Sequence, residues 1–316
     1  MRQHCEDEGY DRVQTTLKSD VHFQGVGLHT GKPARIVVSP ASFDTSIMFN
    51  RTDVADGEIP ARWDHVAQTP LNTRLQNTSG VTLSTIEHLM AALAGCGIHN
   101  AWINVDGPEV PILDGSSAEF VRGFIGTGIA VLDKPLQAIE IVREIAVNDG
   151  NAMARLLPAS TLQMDFEIDF DDAAIGYQSK TLNLSNGTFV RELCDSRTFC
   201  RQSDVDIMRA QGLAQGGSYL NAVVVAGDEV LSPGGLRHKD EAVRHKMLDA
   251  LGDLATAGAP ILGRYTGVRA GHALTNQLLR ALFAQPDAWR WVTCDAKSAA
   301  QLPGAGVNNA DLAKVA

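Results

Sequence analysis

His245 and Asp249 stand four residues apart in "VRHKMLDALGDL". On a helix they share one face, one turn apart. An imidazole and a carboxylate so placed can hold one zinc ion, which takes nitrogen and oxygen ligands at about 2.0–2.2 Å. The plainer reading is a surface ion pair, contributing roughly 0.2–0.5 kcal/mol. In "STIEHL", His88 offers a third ligand, and Glu87 beside it is placed to take a proton from a water that zinc acidifies to a pKa of about 7. The order differs from the H-E-x-x-H of zincins, and a single histidine also serves as an ordinary structural residue. His272 in "RAGHAL" follows a glycine at a helix start, and Asp253, one turn beyond Asp249, would keep it charged as a general acid. A capping histidine is the competing reading. Thr198 in "SRTFC" offers a hydroxyl donor in what also reads as turn chemistry. Gly216-Gly217 suits a tight turn or a close backbone approach.

These groups need elements to hold them. Helical character starts at Ser84, where Ser84 and Glu87 match a capping box. That motif turns the Glu87 carboxylate back onto the Ser84 N–H, whereas a base must face water. After His88 the face carries Ala91, Ala92 and Gly95, leaving room for another element. Gly252 continues the face of His245 and Asp249 and permits a close approach there. Val243, Met247, Ala250 and Leu254 form the separate core face of a long helix ending at Gly258.

"VHFQGVGLHTGKPARIVVSPA" reads as strand, glycine turn, strand. Residues 50–83 are polar and irregular, and Ser116–Glu119 is a second capping box. "LDKPLQAIEIV" marks a boundary. Strands follow over 138–147, 152–157 and 162–170, then a helix over 187–194, a strand over 221–226 and two long helices. The expected organisation is a loose tail over 1–12, an α+β domain over 13–134 and a second over 135–316, with no sequence repeat.

The chain has 316 residues, 44% hydrophobic and 20% charged, the balance of a chain with a real core. No apolar run approaches the roughly 20 residues of a membrane-spanning helix, and the polar start "MRQHCEDEGYDRV" has no signal-peptide core, so the expected location is cytoplasmic. Five scattered cysteines without a C-x-x-C pair argue against disulfides and thiolate zinc. A net charge of −10 argues against a nucleic-acid partner.

"STIEHLMAALAGCGIHN", "PILDGSSAEFV", "SRTF", "GGSYLNAVVV", "VRHKMLDALGDL" and "GHALTN", in this order, with "GVGLHTGKP" before them, resemble the bacterial UDP-3-O-acyl-N-acetylglucosamine deacetylases of lipid A synthesis. The similarity runs from about residue 13 to the C-terminus. It implies two domains, each a β-sheet layered on helices, with the site between them. It implies one Zn2+ held by His88, His245 and Asp249, with Glu87 as base, Thr198 as oxyanion donor, and His272, steadied by Asp253, as acid or electrostatic support. The substrate would be a UDP-linked acylated amino sugar. Leu71, Phe170, Phe199 and Gly217 match positions near the sugar and acyl chain; Lys246 and Arg269 match positions facing the diphosphate. An acyl passage would be built by the second domain around 170–180 and 199–219. Two positions depart from the family: Ala152 replaces a lysine at the nucleotide end, and Arg201 replaces a passage phenylalanine, either turning outward or narrowing the passage. The alternatives are a paralogue acting on another acylated sugar nucleotide, and a non-catalytic metal-binding regulator. On the family reading Glu87 faces the water and the cap is left to Ser84 or Thr85.

Overall fold

Ala34, Ile36 and Val38 alternate with more exposed neighbours along the strand Pro33–Pro40, the period-two signature of a half-buried strand. It lies between Val21–Val26 and Ala101–Val105, antiparallel to both. Ile47–Arg51 joins Ala101–Val105 in parallel, and Glu58–Pro60 completes five strands. The computed structural model describes residues 13–69 and 71–312; the tail expected over 1–12 lies outside them. The helix Ala118–Thr127 packs on this sheet through Phe120 and Phe124, edge-on to Phe23 at 4.9 and 5.8 Å between ring centroids.

A seven-stranded sheet forms around Ile261–Val268. Ala152–Leu157 pairs antiparallel on one side. Leu162–Asp169 runs parallel along 263–268, and Gln137–Ile141 runs parallel along 261–262. Ile145–Asp149, Tyr177–Asn183 and Trp289–Thr293 complete it. The span 138–147 is thus two strands. The central strand was hidden in the sequence because Gly263, Arg264 and Gly267 break its apolar run. Packing explains the glycines: a Cβ at Gly263 would come within 2.7 Å of Ile141, and one at Gly267 within 2.7 Å of Phe166.

The helix Glu241–Ala255 packs on Leu162–Asp169 and Tyr177–Asn183, and His272–Phe283 packs on Ile145–Asp149 and Ala152–Leu157. Val243, Met247, Ala250 and Leu254 are buried as the spacing requires. Glu241–Ala255 also lies directly on Glu87–Gly95, so helices from the two sheets meet and one continuous apolar core runs through both. The architecture is α+β, with sheets layered on helices. A small sheet of Phe199–Arg201, Val223–Ala226 and Glu229–Val230 stands beside it. The helix expected over 187–194 is the short Thr188–Glu192, and a further helix, Gln202–Ala210, carries mostly exposed residues that gave no core-facing pattern.

Candidate active site

The meeting of Glu87–Gly95 with Glu241–Ala255 builds the site. A Cβ on Gly252 would overlap the Glu87 carbonyl oxygen, and one on Gly95 would overlap the Phe189 ring. The small residues along both faces let the backbones approach far enough for side chains one turn away to converge.

His88, His245 and Asp249 are all buried, and each offers a ligand atom within 4.8 Å of the others. Asp249 Oδ1 lies 3.2 Å from His245 Nε2 and 3.5 Å from His88 Nε2, yet this buried oxygen has no hydrogen-bond partner among the described residues. Tetrahedral zinc with bonds of about 2.0–2.2 Å sets ligand atoms about 3.4 Å apart. The residues fit the ion. His245 Nδ1 meets the Ser196 carbonyl at 2.9 Å, and an Nδ1–H donated there leaves the Nε2 lone pair facing the site. Burial, only partly opposed by Asp249, pushes the His245 pKa down to about 4 and keeps the ring neutral, as ligation needs. Burial works against charge on Asp249, but His245, at the low pH where its ring is charged, and the Lys246 ammonium outweigh it and hold that carboxyl well below its ordinary range.

Glu87 opens its helix. Ile86 occupies the cap position with no side-chain cap bond, which corrects the expected cap at Ser84 or Thr85. Ser84 instead pairs its backbone with the segment 108–110, and its hydroxyl accepts from Arg74 Nε at 3.0 Å. Thr85, in the left-handed region at φ 61°, donates to Glu109. Glu109 is buried and also accepts from His29 N, Thr30 N and Thr30 Oγ1 at 2.8–2.9 Å. The "GVGLHTGKP" turn is thereby bolted to the residues that aim the helix. Glu109 was missed because its four donors, from His29, Thr30 and Thr85, lie 24 to 80 residues away and leave no local pattern around it.

The Glu87 carboxylate makes no return bond to Ser84. Its Oε2 accepts from Thr73 N at 3.1 Å, and Oε1 lies 3.9 Å from His272 Nε2. Burial pushes its pKa above the usual carboxylate range, with His272 and His88 pulling the other way. His272 is the first residue of its helix, after Gly271. Its Nδ1 bonds Asp253 Oδ2 at 2.9 Å, and its Nε2 is 3.9 Å from Asp249 Oδ2. Burial alone would lower the His272 pKa, but Asp253 and Glu87 outweigh it and push it up to about 9.

The other sequence-identified residues surround this centre unevenly. Thr198 is pinned through its backbone to Gly115 O and Val223 N, both at 2.7 Å. The Phe199 ring lies 6.3 Å from His245 and 5.4 Å from Phe170, centroid to centroid. Gly217 closes a turn onto Ala214 O, while the adjacent Gly216 N bonds Leu28 O. Lys246 turns inward, donating to Asp249 Oδ2 at 3.1 Å. Arg269 is half-exposed and pairs with Asp169 at 2.6 Å, and Leu71 is exposed. Arg201 precedes the helix Gln202–Ala210 and grips Asp204 through two bonds of 2.8 and 2.9 Å, so it is turned toward that helix. A cavity of about 460 Å³ is lined in part by Met90, Leu93, Leu251 and Leu254, and none of these site residues borders it.

Buried acids and imidazoles with perturbed proton affinities converge here from three helices, the arrangement that marks a candidate functional site. Residues 14–284 match the family model described as UDP-3-O-acyl N-acetylglycosamine deacetylase. The chain is 50% identical over 279 residues to a protein of Phenylobacterium zucineum named UDP-3-O-acyl-N-acetylglucosamine deacetylase, covering 88% of this chain and 95% of the relative. Proteins of the same name from Shewanella frigidimarina and Shewanella oneidensis are each 44% identical, covering 89% and 92% of this chain and 93% and 97% of their own lengths. The chain belongs to the UDP-3-O-acyl N-acetylglycosamine deacetylase family.

Proposed function

We propose that the protein hydrolyses the N-acetyl group of UDP-3-O-acyl-N-acetylglucosamine, giving the free amine and acetate, as a zinc-dependent deacetylase of lipid A biosynthesis. The observation that carries this reading is the unpartnered Asp249 Oδ1 facing two imidazole nitrogens, with Glu87 and His272 alongside. His88, His245 and Asp249 would hold the ion. A zinc ion held there would supply Lewis acidity toward a carbonyl and toward water near neutral pH.

The chain's own groups handle the protons. Glu87 Oε1 is the carboxylate oxygen left free to accept a proton from the attacking water, since Oε2 is engaged by Thr73. His272, charged and bonded through Nδ1 to Asp253, presents Nε2 as donor to the departing amine nitrogen. Glu87 and His272 thus receive and deliver protons on one side of the ligand set. The Thr198 hydroxyl would donate to the oxyanion. Phe170 and Phe199, with Leu71 and Gly217, would line the sugar and acyl chain, where each buried CH₂ contributes about 0.8 kcal/mol. Lys246 and Arg269 would meet the diphosphate, each leaving a carboxylate partner to do so. A soluble nucleotide-sugar substrate accords with the cytoplasmic location expected from the sequence.

The test is acetate release from the UDP-linked acyl sugar, across acyl lengths, with and without a zinc chelator. Turnover lost on chelation and restored by zinc is expected. Turnover indifferent to chelation would remove the zinc reading, and no acetate from any acyl length would remove the substrate assignment.

A further inference from the structure

Thr73 was singled out by no motif, yet it touches both carboxylates of the acid–base set. It is buried, and it precedes the short strand Arg74–Gln76. Its backbone N–H donates to Glu87 Oε2 at 3.1 Å, and its hydroxyl donates to Asp253 Oδ1. Among the described residues, no other side chain or backbone group donates to both. The contacts close a ring: from Thr73 to Glu87, across 3.9 Å from Glu87 Oε1 to His272 Nε2, from His272 Nδ1 to Asp253 Oδ2, and back through Asp253 Oδ1 to Thr73. Glu87, Asp253 and His272 each come from a different helix. The loop is itself pinned, since Thr69 Oγ1 donates to Asn72 O at 2.6 Å and Ile86 N to Thr73 O at 3.4 Å.

We infer that Thr73 is the positioning residue of the proton-transfer pair: its N–H selects which Glu87 oxygen is free, and its hydroxyl fixes the Asp253 carboxylate that orients His272. This rests on the acid–base reading of Glu87 and His272. Occupying Oε2 leaves Oε1, the oxygen nearer His272, for the water proton. Occupying Asp253 Oδ1 stops that carboxylate rotating and keeps Oδ2 on Nδ1. Without the hydroxyl, Asp253 holds one fewer buried donor, and the imidazole loses its fixed aim. Misplacement by about 1 Å can cost a catalytic group roughly 100-fold.

The test uses the intact zinc-loaded protein. Thr73→Val keeps the shape and the backbone N–H but removes the hydroxyl; Thr73→Ser keeps the hydroxyl; Thr73→Ala is a second hydroxyl-free variant should Val fail to fold. The hydroxyl-free variant should lose roughly 10- to 100-fold in kcat, with KM and zinc content unchanged, and Thr73→Ser should recover most of it. In a His272→Gln background the same substitution should cost little, because residues acting as one unit are non-additive. Full kcat in Thr73→Val, or the same proportional loss with and without His272, overturns the proposal. If His272→Gln itself keeps full turnover, the acid–base reading falls first, and the two failures are told apart.

Discussion

Gly252 lies against the backbone of Glu87 so closely that a single Cβ would overlap the Glu87 carbonyl oxygen. One helix carries His245, Asp249 and Asp253 and the other carries Glu87 and His88, so this glycine sets the spacing of the whole centre. The Glu87 carbonyl at that contact is helical backbone, with little freedom to yield.

Gly252→Ala should therefore separate the helices. We expect a loss of about 1–3 kcal/mol of stability, the range for overpacking a close-packed interior, together with weakened zinc retention. Gly126→Ala is the control: a Cβ there meets nothing within 4 Å, and in a helix it should be neutral or stabilising by about 0.5–1 kcal/mol. Denaturant midpoints and zinc content of both variants check this. Equal behaviour of the two would refute the spacing role.

Purified protein should carry about one zinc per chain, as one three-ligand site requires. His245→Ala and Asp249→Ala should each abolish retention through dialysis, measured by elemental analysis. Metal content unchanged in either variant would sink the ligand assignment.

Activity should follow a bell-shaped pH profile. Glu87 must be ionised to act as base, and its proton affinity is raised, so the rate should climb as pH rises through a value above the usual carboxylate range. His272 must be protonated to act as acid, and its pKa is pushed up to about 9, so the rate should fall as pH rises through that region. Glu87→Gln and His272→Gln should each lower kcat by roughly 10²–10⁴-fold, and the alkaline limb should be absent in the second. An identical alkaline limb in His272→Gln would assign it to another group.

Glu241 and Arg197 form a buried ion pair that braces the segment around Thr198. Glu241 Oε1 accepts from Arg197 N and Nε at 3.0 and 2.9 Å, and Oε2 accepts from Arg197 NH2 and Arg237 N. Burial opposes its charge, but the Arg197 bonds outweigh burial and depress its pKa. A depressed carboxyl contributes stability above its unfolded value of 4.5 and loses it as pH falls through the folded one. Glu241→Gln should cost about 3–5 kcal/mol at neutral pH by leaving a guanidinium buried without its carboxylate. It should also flatten the acid side of the stability curve, read from denaturant midpoints between pH 7 and pH 4. An unaltered acid slope would show that Glu241 does not carry it.

Much of this centre was legible in the residues themselves. Spacing at one helical turn put His245, Asp249 and Asp253 on one face, and the small residues after His88 foretold an approaching element, which proved to be Gly252 and Phe189. Family motifs in order carried the rest of the site set. Composition and apolar periodicity were enough for an α+β chain with long amphipathic helices, because burial imposes those periods locally.

What the tertiary structure decided was everything that depends on partners distant in sequence. The central strand Ile261–Val268 is defined by pairing on both edges, and its glycines make sense only against Ile141 and Phe166. The matched Ser84–Glu87 spacing did not become a capping box, because Glu109 and the 108–110 segment claim Thr85 and Ser84 first. Thr73 meets Asp253 across 180 residues and Glu87 across 14. A hydrogen bond between groups that far apart along the chain leaves no periodicity behind. It exists only once two helices and a loop have been packed to one spacing, and here a glycine sets that spacing.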